Sequence, residues 1–320
     1  MKKKLRKLIE SFQTIIIHRH LRPDLDAIGS QMGLYHLIKT NYPEKEVYVV
    51  GDSNKFLYKT QMEDVPDYVF KNALSIILDT AVSELVSDNR YVNSKSILII
   101  DHHQNESNID FTLFYQKAHY TSACEIIIDL AREFGWTITS KAATYLYGGM
   151  VSDTGRFQYI KAENATRVFS NAAFITGFYP DISDLYDFLY NESLEERQKK
   201  NLFRSFDLTK HNVAYRKNTK EIIDESNLDI FSISRGMVNL MAGIKEVPIW
   251  VNFTEDFQKD GIIVEIRSRN IVVVDIAKKY GGGGHNFACG ATINSWDTAE
   301  LLLNELDERA RENGDFSENI

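Results

Sequence analysis

Four near-continuous apolar runs, TIIIH, EVYVVG, LSIILD and SILIID, alternate with helical stretches through the first hundred residues. Runs without polar alternation suit strands buried on both faces, which calls for a parallel sheet with crossover helices. The pattern predicts an α/β domain with a mostly parallel sheet and flanking helices. Each run ends in polar residues: His18 leading on to Asp26, then Asp52, Asp79 and Asp101. In open parallel sheets ligands sit beyond the carboxyl ends of the strands, so these ends are expected to face one site.

Beyond Asp101 the pattern turns helical. Ser122 stands three residues before Glu125 and opens EIIIDLAREFG, a capping-box start with a glycine stop, so Ser122 is expected to be an N-cap rather than a substrate contact. A second helix near 140–151 delivers GGMVSDTGRF, and helix continues to about Tyr190. The charged segment NESLEERQKKNLFRSF has sparse apolar positions and suits a helical connector. The expected division is a catalytic domain over 1–190, a helical linker over 191–208 and a second domain over 209–320. That smaller C-terminal α/β domain holds the runs NVAYRK, IWVNFTE and GIIVEIRSR, a short helix near VVDIAKKYG, the loop GGGGHNFACGA and a last helix from about Asp297 to Arg311.

Composition narrows the class. With 320 residues, ordinary apolar content and two cysteines far apart, Cys124 and Cys289, the chain suits two folded domains with reduced thiols and neither a disulfide framework nor a structural zinc site. No apolar run approaches the ~20 residues that span a bilayer, and the start MKKKLRKLIESF lacks a signal peptide's apolar core, so a cytoplasmic protein is expected. A net charge of -8 argues against tight nonspecific binding of long nucleic acids. A short phosphate-bearing substrate held by a few cations fits better.

The strand ends gather His20, Asp24, Asp26, Asp79, Asp101, His102 and His103, and the later helix end adds Asp153. Crowding Asp24, Asp26, Asp79 and Asp153 together costs roughly 4 kcal/mol per close pair at an effective dielectric of about 20. Such a cluster needs cations. Two divalent ions sharing one carboxylate meet that need better than one, and mixed imidazole and carboxylate ligands suit Mn2+ better than Mg2+. Two such ions activate water and stabilise both oxygens in line at phosphorus, which is phosphoester hydrolysis. A single strand-end Asp is more often a cap or turn residue, and Asp52 is placed in that class. The adjacent pair His102 and His103 after a buried strand has no evident packing purpose.

These residues also carry a resemblance. HLRPDLDAIGS, ILDTA, IIDHH and VSDTGRF, in this order, resemble the four motifs of the DHH phosphoesterases, and IRSRNIVVVDIAKKYGGGGHNFACGA resembles the DHH-associated domain of their NrnA-type nanoRNase and pAp-phosphatase branch. The resemblance implies that His20, Asp24 and Asp79 hold one metal, and that Asp26, Asp79, His102 and Asp153 hold the other. His103 would contact the scissile phosphate while Asp101 orients an imidazole. In the second domain it implies substrate binding by Arg267 and Ser268, and by Gly282, Gly283, Gly284 and His285 of the glycine-rich loop, facing the metals across a cleft. Arg269, two residues from Arg267 on the same strand pattern, is expected to add a second guanidinium for phosphate. Where relatives commonly have GGGGHPNAAGA, this chain departs at Asn286, Phe287 and Cys289; Phe287 is expected to fill core rather than stack on a base.

The function so implied is a two-metal phosphodiesterase, with Mn2+ favoured over Mg2+ or Co2+. It would cleave short oligoribonucleotides and linear dinucleotides such as pApA to mononucleotides and dephosphorylate pAp to AMP. A cyclic di-AMP phosphodiesterase is the nearest rival, followed by a RecJ-like single-strand exonuclease and a non-catalytic nucleotide sensor. No membrane or obligatory protein partner is implied, and a homodimer is left open.

Overall fold

The structure, a computed structural model, describes residues 1–52, 58, 60, 62–257 and 259–313. The expected second-domain stretch 314–320 lies outside the described residues. The chain divides into two units, Met1–Asn191 and Glu192–Ile320.

The first unit runs α1 (Lys2–Glu10), β1 (Thr14–His18), α2 (Leu25–Asn41), β2 (Glu46–Val49), α3 (Asp67–Phe70), β3 (Leu74–Leu78), β4 (Ser96–Asp101), β5 (Leu113–Gln116), α4 (Ala123–Phe134), α5 (Ser140–Asp153), α6 (Ala162–Thr176) and α7 (Ile182–Tyr190). Its sheet has the order β2-β1-β3-β4-β5 with every neighbouring pair parallel. Register does the positioning. His18 pairs with Ile77 and Ile77 with Ile99, so two residues further along, His20, Asp79 and Asp101 emerge at one level of the sheet.

Helix α2 is buried at every residue from Leu25 to Leu34, as suits a helix packed on all sides. Glycine permits one especially close approach there. A Cβ on Gly149 of α5 would stand 2.3 Å from Cys124 Sγ and 2.8 Å from Asp26 Oδ1, so any side chain would push on a metal-ligand candidate.

His18, the other histidine of the opening motif, is fully buried in β1. Its Nε2 meets Ser75 Oγ at 3.0 Å, Ser75 Oγ meets Ser94 Oγ at 2.7 Å, and its ring lies between Phe70 and Tyr91. Burial drops its pKa to about 4, and burial with nearby Lys141 does the same for His36. A histidine held neutral by the fold contributes stability that is complete above its unfolded pKa of about 6.5 and is lost as pH falls towards 4. Chemical denaturation is therefore expected to show wild type losing more stability than His18→Asn between pH 7 and pH 4.5. Equal losses would mean that His18 takes up no proton on unfolding.

The second unit runs α8 (Leu194–Asn201), β6 (Asp207–Leu208), β7 (Val213–Asn218), α9 (Lys220–Ser226), α10 (Ile230–Ser234), β8 (Ile249–Asp256), β9 (Gly261–Ser268), α11 (Val274–Lys279), β10 (Gly283–His285), β11 (Ala288–Ile293) and α12 (Trp296–Glu312). The sheet order is β10-β11-β9-β8-β7-β6, antiparallel except for the parallel pair β7 and β8. The stretch expected as a linker is tied into this unit: Arg216 of β7 donates to Leu202 O and Ser205 Oγ, and Phe203 is buried beside Ile223 and Ile233. Where a loop was expected after Gly281, β10 and β11 form a hairpin. Among the described residues no helix is long and apolar enough to cross a membrane.

Candidate metal centre

Each ligand candidate of the first unit is delivered by the end of an element. Asp24 is the N-cap of α2, its Oδ1 accepting from the amides of Asp26 and Ala27 at 2.9 and 3.0 Å. Capping and facing the site are compatible, for the same oxygen lies 3.7 Å from His20 Nε2. His20 donates through Nδ1 to Leu21 O at 2.7 Å when that nitrogen carries the proton, and this tautomer leaves the Nε2 lone pair for a metal. Asp79 follows β3 with φ 60, and Arg22, Arg156 and Phe157, all on turns that carry ligand candidates, also take left-handed φ of 51, 60 and 67. Backbone of this kind is costly for residues other than glycine and clusters where a fold must aim side chains.

Asp26 is completely buried, and a distant segment holds it. The first amides of α4, from Ala123 and Cys124, donate to its two carboxylate oxygens at 2.6 and 2.9 Å. Ser122 is the expected N-cap of that helix, accepting from the Glu125 amide at 3.0 Å. Buried Glu125 is braced by Arg167 Nε at 2.7 Å and by the Thr121 amide at 2.9 Å. A helix N-terminus thus fixes a carboxylate of the site. The sequence read Ser122 as a cap but carried no sign of what the cap was aimed at.

The side chains converge. His20 Nε2 lies 3.6 Å from Asp79 Oδ2; His102 Nε2 lies 3.2 Å from Asp79 Oδ1, 3.4 Å from Asp153 Oδ2 and 4.0 Å from Asp26 Oδ2. In each of three groups, His20 with Asp24 and Asp79, Asp26 with His102 and Asp153, and Asp79 with His102 and His103, the ligand atoms lie within 4.8 Å of one another. Asp79 Oδ1 and His102 Nε2 are buried and face each other at 3.2 Å, and neither has an aligned hydrogen bond to any other group. Buried atoms of that kind are expensive unless something binds them, and a hard or borderline divalent cation suits this set of nitrogen and oxygen donors. The residues fit metal.

Electrostatics agree. Burial lowers the pKa of both His20 and His102, but the carboxylates of Asp24 and Asp79 carry His20 up to about 11, and Asp79, Asp26 and Asp153 carry His102 up to about 10. Burial followed by the charge of Asp79 raises Asp26 to about 7, and burial followed by Asp26 and Asp79 raises Asp153 to about 9. Burial also works against ionised Asp79, but the two imidazoles overrule it and hold this carboxyl down to about 2. The Cys124 thiol is pushed well above its ordinary value by burial, which makes it inert.

His103 is placed differently. Its Nδ1 is 2.8 Å from Asp101 Oδ1, whose bond raises the imidazole pKa, while the side chain stays 52% exposed. The imidazole that Asp101 orients is that of His103. Gln116 of β5 steadies the following loop, donating to His103 O and Asn105 O at 2.8 and 2.7 Å; as a lone polar residue on a short edge strand it gave no signal in the sequence.

In the second unit, Arg267 Nη1 meets Glu265 Oε2 at 3.0 Å and Ile266 O at 2.9 Å. The expected pairing of Arg267 with Arg269 on one strand face is not found. Strand β9 ends at Ser268, and Arg269 Nη2 turns to the carbonyls of Ile244 and Lys245 at 2.9 and 2.7 Å, bracing that turn. Ser268 Oγ donates to Ile271 O at 2.5 Å. Gly282, Gly283, Gly284 and His285 enter the β10–β11 hairpin, and Phe287, expected in the core, is 44% exposed.

The family model described as DHH family, N-terminal domain, matches residues 14–150, and that of the DHHA1 domain matches residues 231–312. The bifunctional oligoribonuclease and PAP phosphatase NrnA of Bacillus subtilis strain 168 is 34% identical over 319 residues, covering 98% of this chain and 99% of the relative. The protein of the same name from Mycoplasma genitalium is 36% identical over 296 residues, covering 90% and 91%. Among solved structures, an exopolyphosphatase-related protein from Bacteroides fragilis has the same fold, with a TM-score of 0.81 over 97% of each chain at 23% identity.

Proposed function

The chain belongs to the DHH family and is a metal-dependent hydrolase of phosphoester bonds, and from that premise we propose that it cleaves very short oligoribonucleotides and linear dinucleotides such as pApA to mononucleotides, removes the 3'-phosphate of pAp, and uses two Mn2+ ions. The observation that carries the reading is the sharing of Asp79 between ligand groups whose facing atoms, Asp79 Oδ1 and His102 Nε2, are buried with no partner but each other.

His20, Asp24 and Asp79 would hold one cation, and Asp26, Asp79, His102 and Asp153 the other. Bound there, two divalent cations supply charge neutralisation at the phosphate and acidify water. The chain's own residues do the rest. The α4 amides keep both oxygens of Asp26 aimed, so the ligand set is built before substrate arrives. Asp101 keeps the His103 proton at Nδ1 and biases the ring towards its charged form, leaving a second, exposed N–H to meet the scissile phosphate and to protonate the departing oxygen.

In the second unit, Arg267 and the loop Gly282, Gly283, Gly284 and His285 would bind the substrate's anionic end, with Ser268 and Arg269 keeping that edge in shape. Gly283 supports this. A Cβ at Gly282 would stand 2.0 Å from Gly290 O, so packing explains that glycine, whereas a Cβ at Gly283 meets nothing within 4 Å. No packing demand accounts for Gly283, and bare backbone there lets a phosphate approach.

A substrate panel tests the reading: purified protein with Mn2+ and, in parallel, pApA, a five-residue RNA, pAp, cyclic di-AMP and pyrophosphate. Fastest turnover of pApA with measurable release of phosphate from pAp is expected. Fastest turnover of cyclic di-AMP would transfer the assignment to ring opening, and fastest turnover of pyrophosphate would overturn it.

A further inference from the structure

The hairpin joining β10 to β11 presents Phe287 at its turn, and four features of this position stand together. Pairing of β10 with β11 sets His285 opposite Ala288, and pairing of β11 with β9 sets Ala288 opposite Arg267. Neighbouring strands lie ~4.8 Å apart, so the backbones of His285 and Arg267 stand about 10 Å apart across Ala288, with the phenylalanine immediately before that central residue. The ring is 44% exposed and is not among the side chains packed on the second unit's core, where Tyr215, Tyr280 and Trp296 fill that role. The backbone beneath it is pinned at both turn residues: the Ser268 amide donates to Phe287 O at 3.0 Å and the Val273 amide to Asn286 O at 2.9 Å.

An exposed aromatic on a mobile tip would be unremarkable on any surface. One fixed to a pinned turn, one residue from the position that joins His285 to Arg267 across the sheet, has the makings of a nucleotide subsite, with Arg267 itself steadied by Glu265 Oε2 at 3.0 Å. Ring and cations address the two halves of a nucleotide, since every base offers a π-face for stacking and every phosphate an anion for the guanidinium.

The geometry points to Phe287 as a specificity-determining residue, a platform on which the base of a bound nucleotide stacks while Arg267 and His285 hold its phosphate. This rests on the proposed substrate role of that loop and deepens it. The recognised class is a nucleotide with an intact base, and purines, with the larger face, are preferred over pyrimidines. A sugar phosphate without a base gains nothing from the ring.

The test uses the full chain with Mn2+ and three substrates: pApA, pUpU and a 5'-phosphorylated dinucleotide in which both bases are absent. Phe287→Ala is expected to raise KM for pApA by roughly tenfold to a hundredfold, the span set by one lost stacking contact. KM for pUpU should rise less, that for the abasic compound should stay unchanged, and metal occupancy should stay intact. Phe287→Trp should restore the wild-type KM for pApA. In parallel, Arg267→Ala should raise KM for all three substrates. If Phe287→Ala moves none of the three while Arg267→Ala moves all, the stacking role is overturned and the phosphate-binding reading stands. If Arg267→Ala moves none, the reading beneath it falls as well.

Discussion

Asp79→Asn should reduce hydrolysis of every substrate by roughly 10^3-fold or more and lower the metal content of the protein, while leaving the fold in place. Loss of one preorganised electrostatic group alone costs ~10^2–10^3 in rate, and Asp79 serves both proposed cations. Its carboxylate lies 3.6 Å from His20 and 3.2 Å from His102, so it is the point at which the two ligand groups meet. Asparagine is the informative replacement. It matches aspartate in shape and tolerates left-handed backbone, whereas alanine at φ 60 would add strain to the lost charge. Circular dichroism and thermal melting check the fold, and elemental analysis checks the metal. Undiminished turnover in a well-folded Asp79→Asn protein would sink the two-metal site.

How far the site was legible follows from what each residue depends on. Strands β1, β3 and β4 are buried on both faces and so appear as unbroken apolar runs, and parallel register makes their polar ends coincide. That is why His20, Asp79 and Asp101 were legible as a group before any geometry. His18 and His20 differ for the same reason: one is the last residue inside the strand, committed to Ser75, and the other lies two residues past it with its ring turned to the carboxylates. By contrast, the partners of Asp26 lie 97 and 98 residues away, and no local pattern encodes a contact of that range. Strand β5 shows one buried residue in four, too little for a hydrophobic run. The hairpin of β10 and β11 escaped because a run of glycines has no alternation of side chains to betray a strand. Its register with β9 comes from packing, and with it the exposure of Phe287.

Metal binding is expected to expel protons, and its apparent affinity to climb steeply with pH. Without metal the carboxylates are balanced by protons instead: His20, His102 and Asp153, raised to about 11, 10 and 9, all carry one at pH 7, and Asp26, near 7, carries one part of the time. Ligation requires the unprotonated forms, so each proton displaced makes the apparent affinity rise about tenfold per pH unit. The same shifts set the stability of metal-free protein. Histidines whose folded pKa lies above 6.5 contribute stability that is complete below 6.5 and lost as pH rises through about 10 to 11. Asp153, a carboxyl raised from 3.8 to about 9, likewise favours the fold below 3.8 and loses that contribution as pH climbs to 9. Chelation should therefore lower Tm by more at pH 9 than at pH 6. Calorimetric titration of Mn2+ at pH 7 in buffers of different protonation enthalpy should register release of roughly three to four protons in total as both sites fill. Asp153→Asn, which has no proton to lose at that position, should release about one fewer. Proton release near zero, or an affinity independent of pH, would mean that protons do not neutralise these carboxylates in the metal-free protein and that the site is not pre-charged in this way.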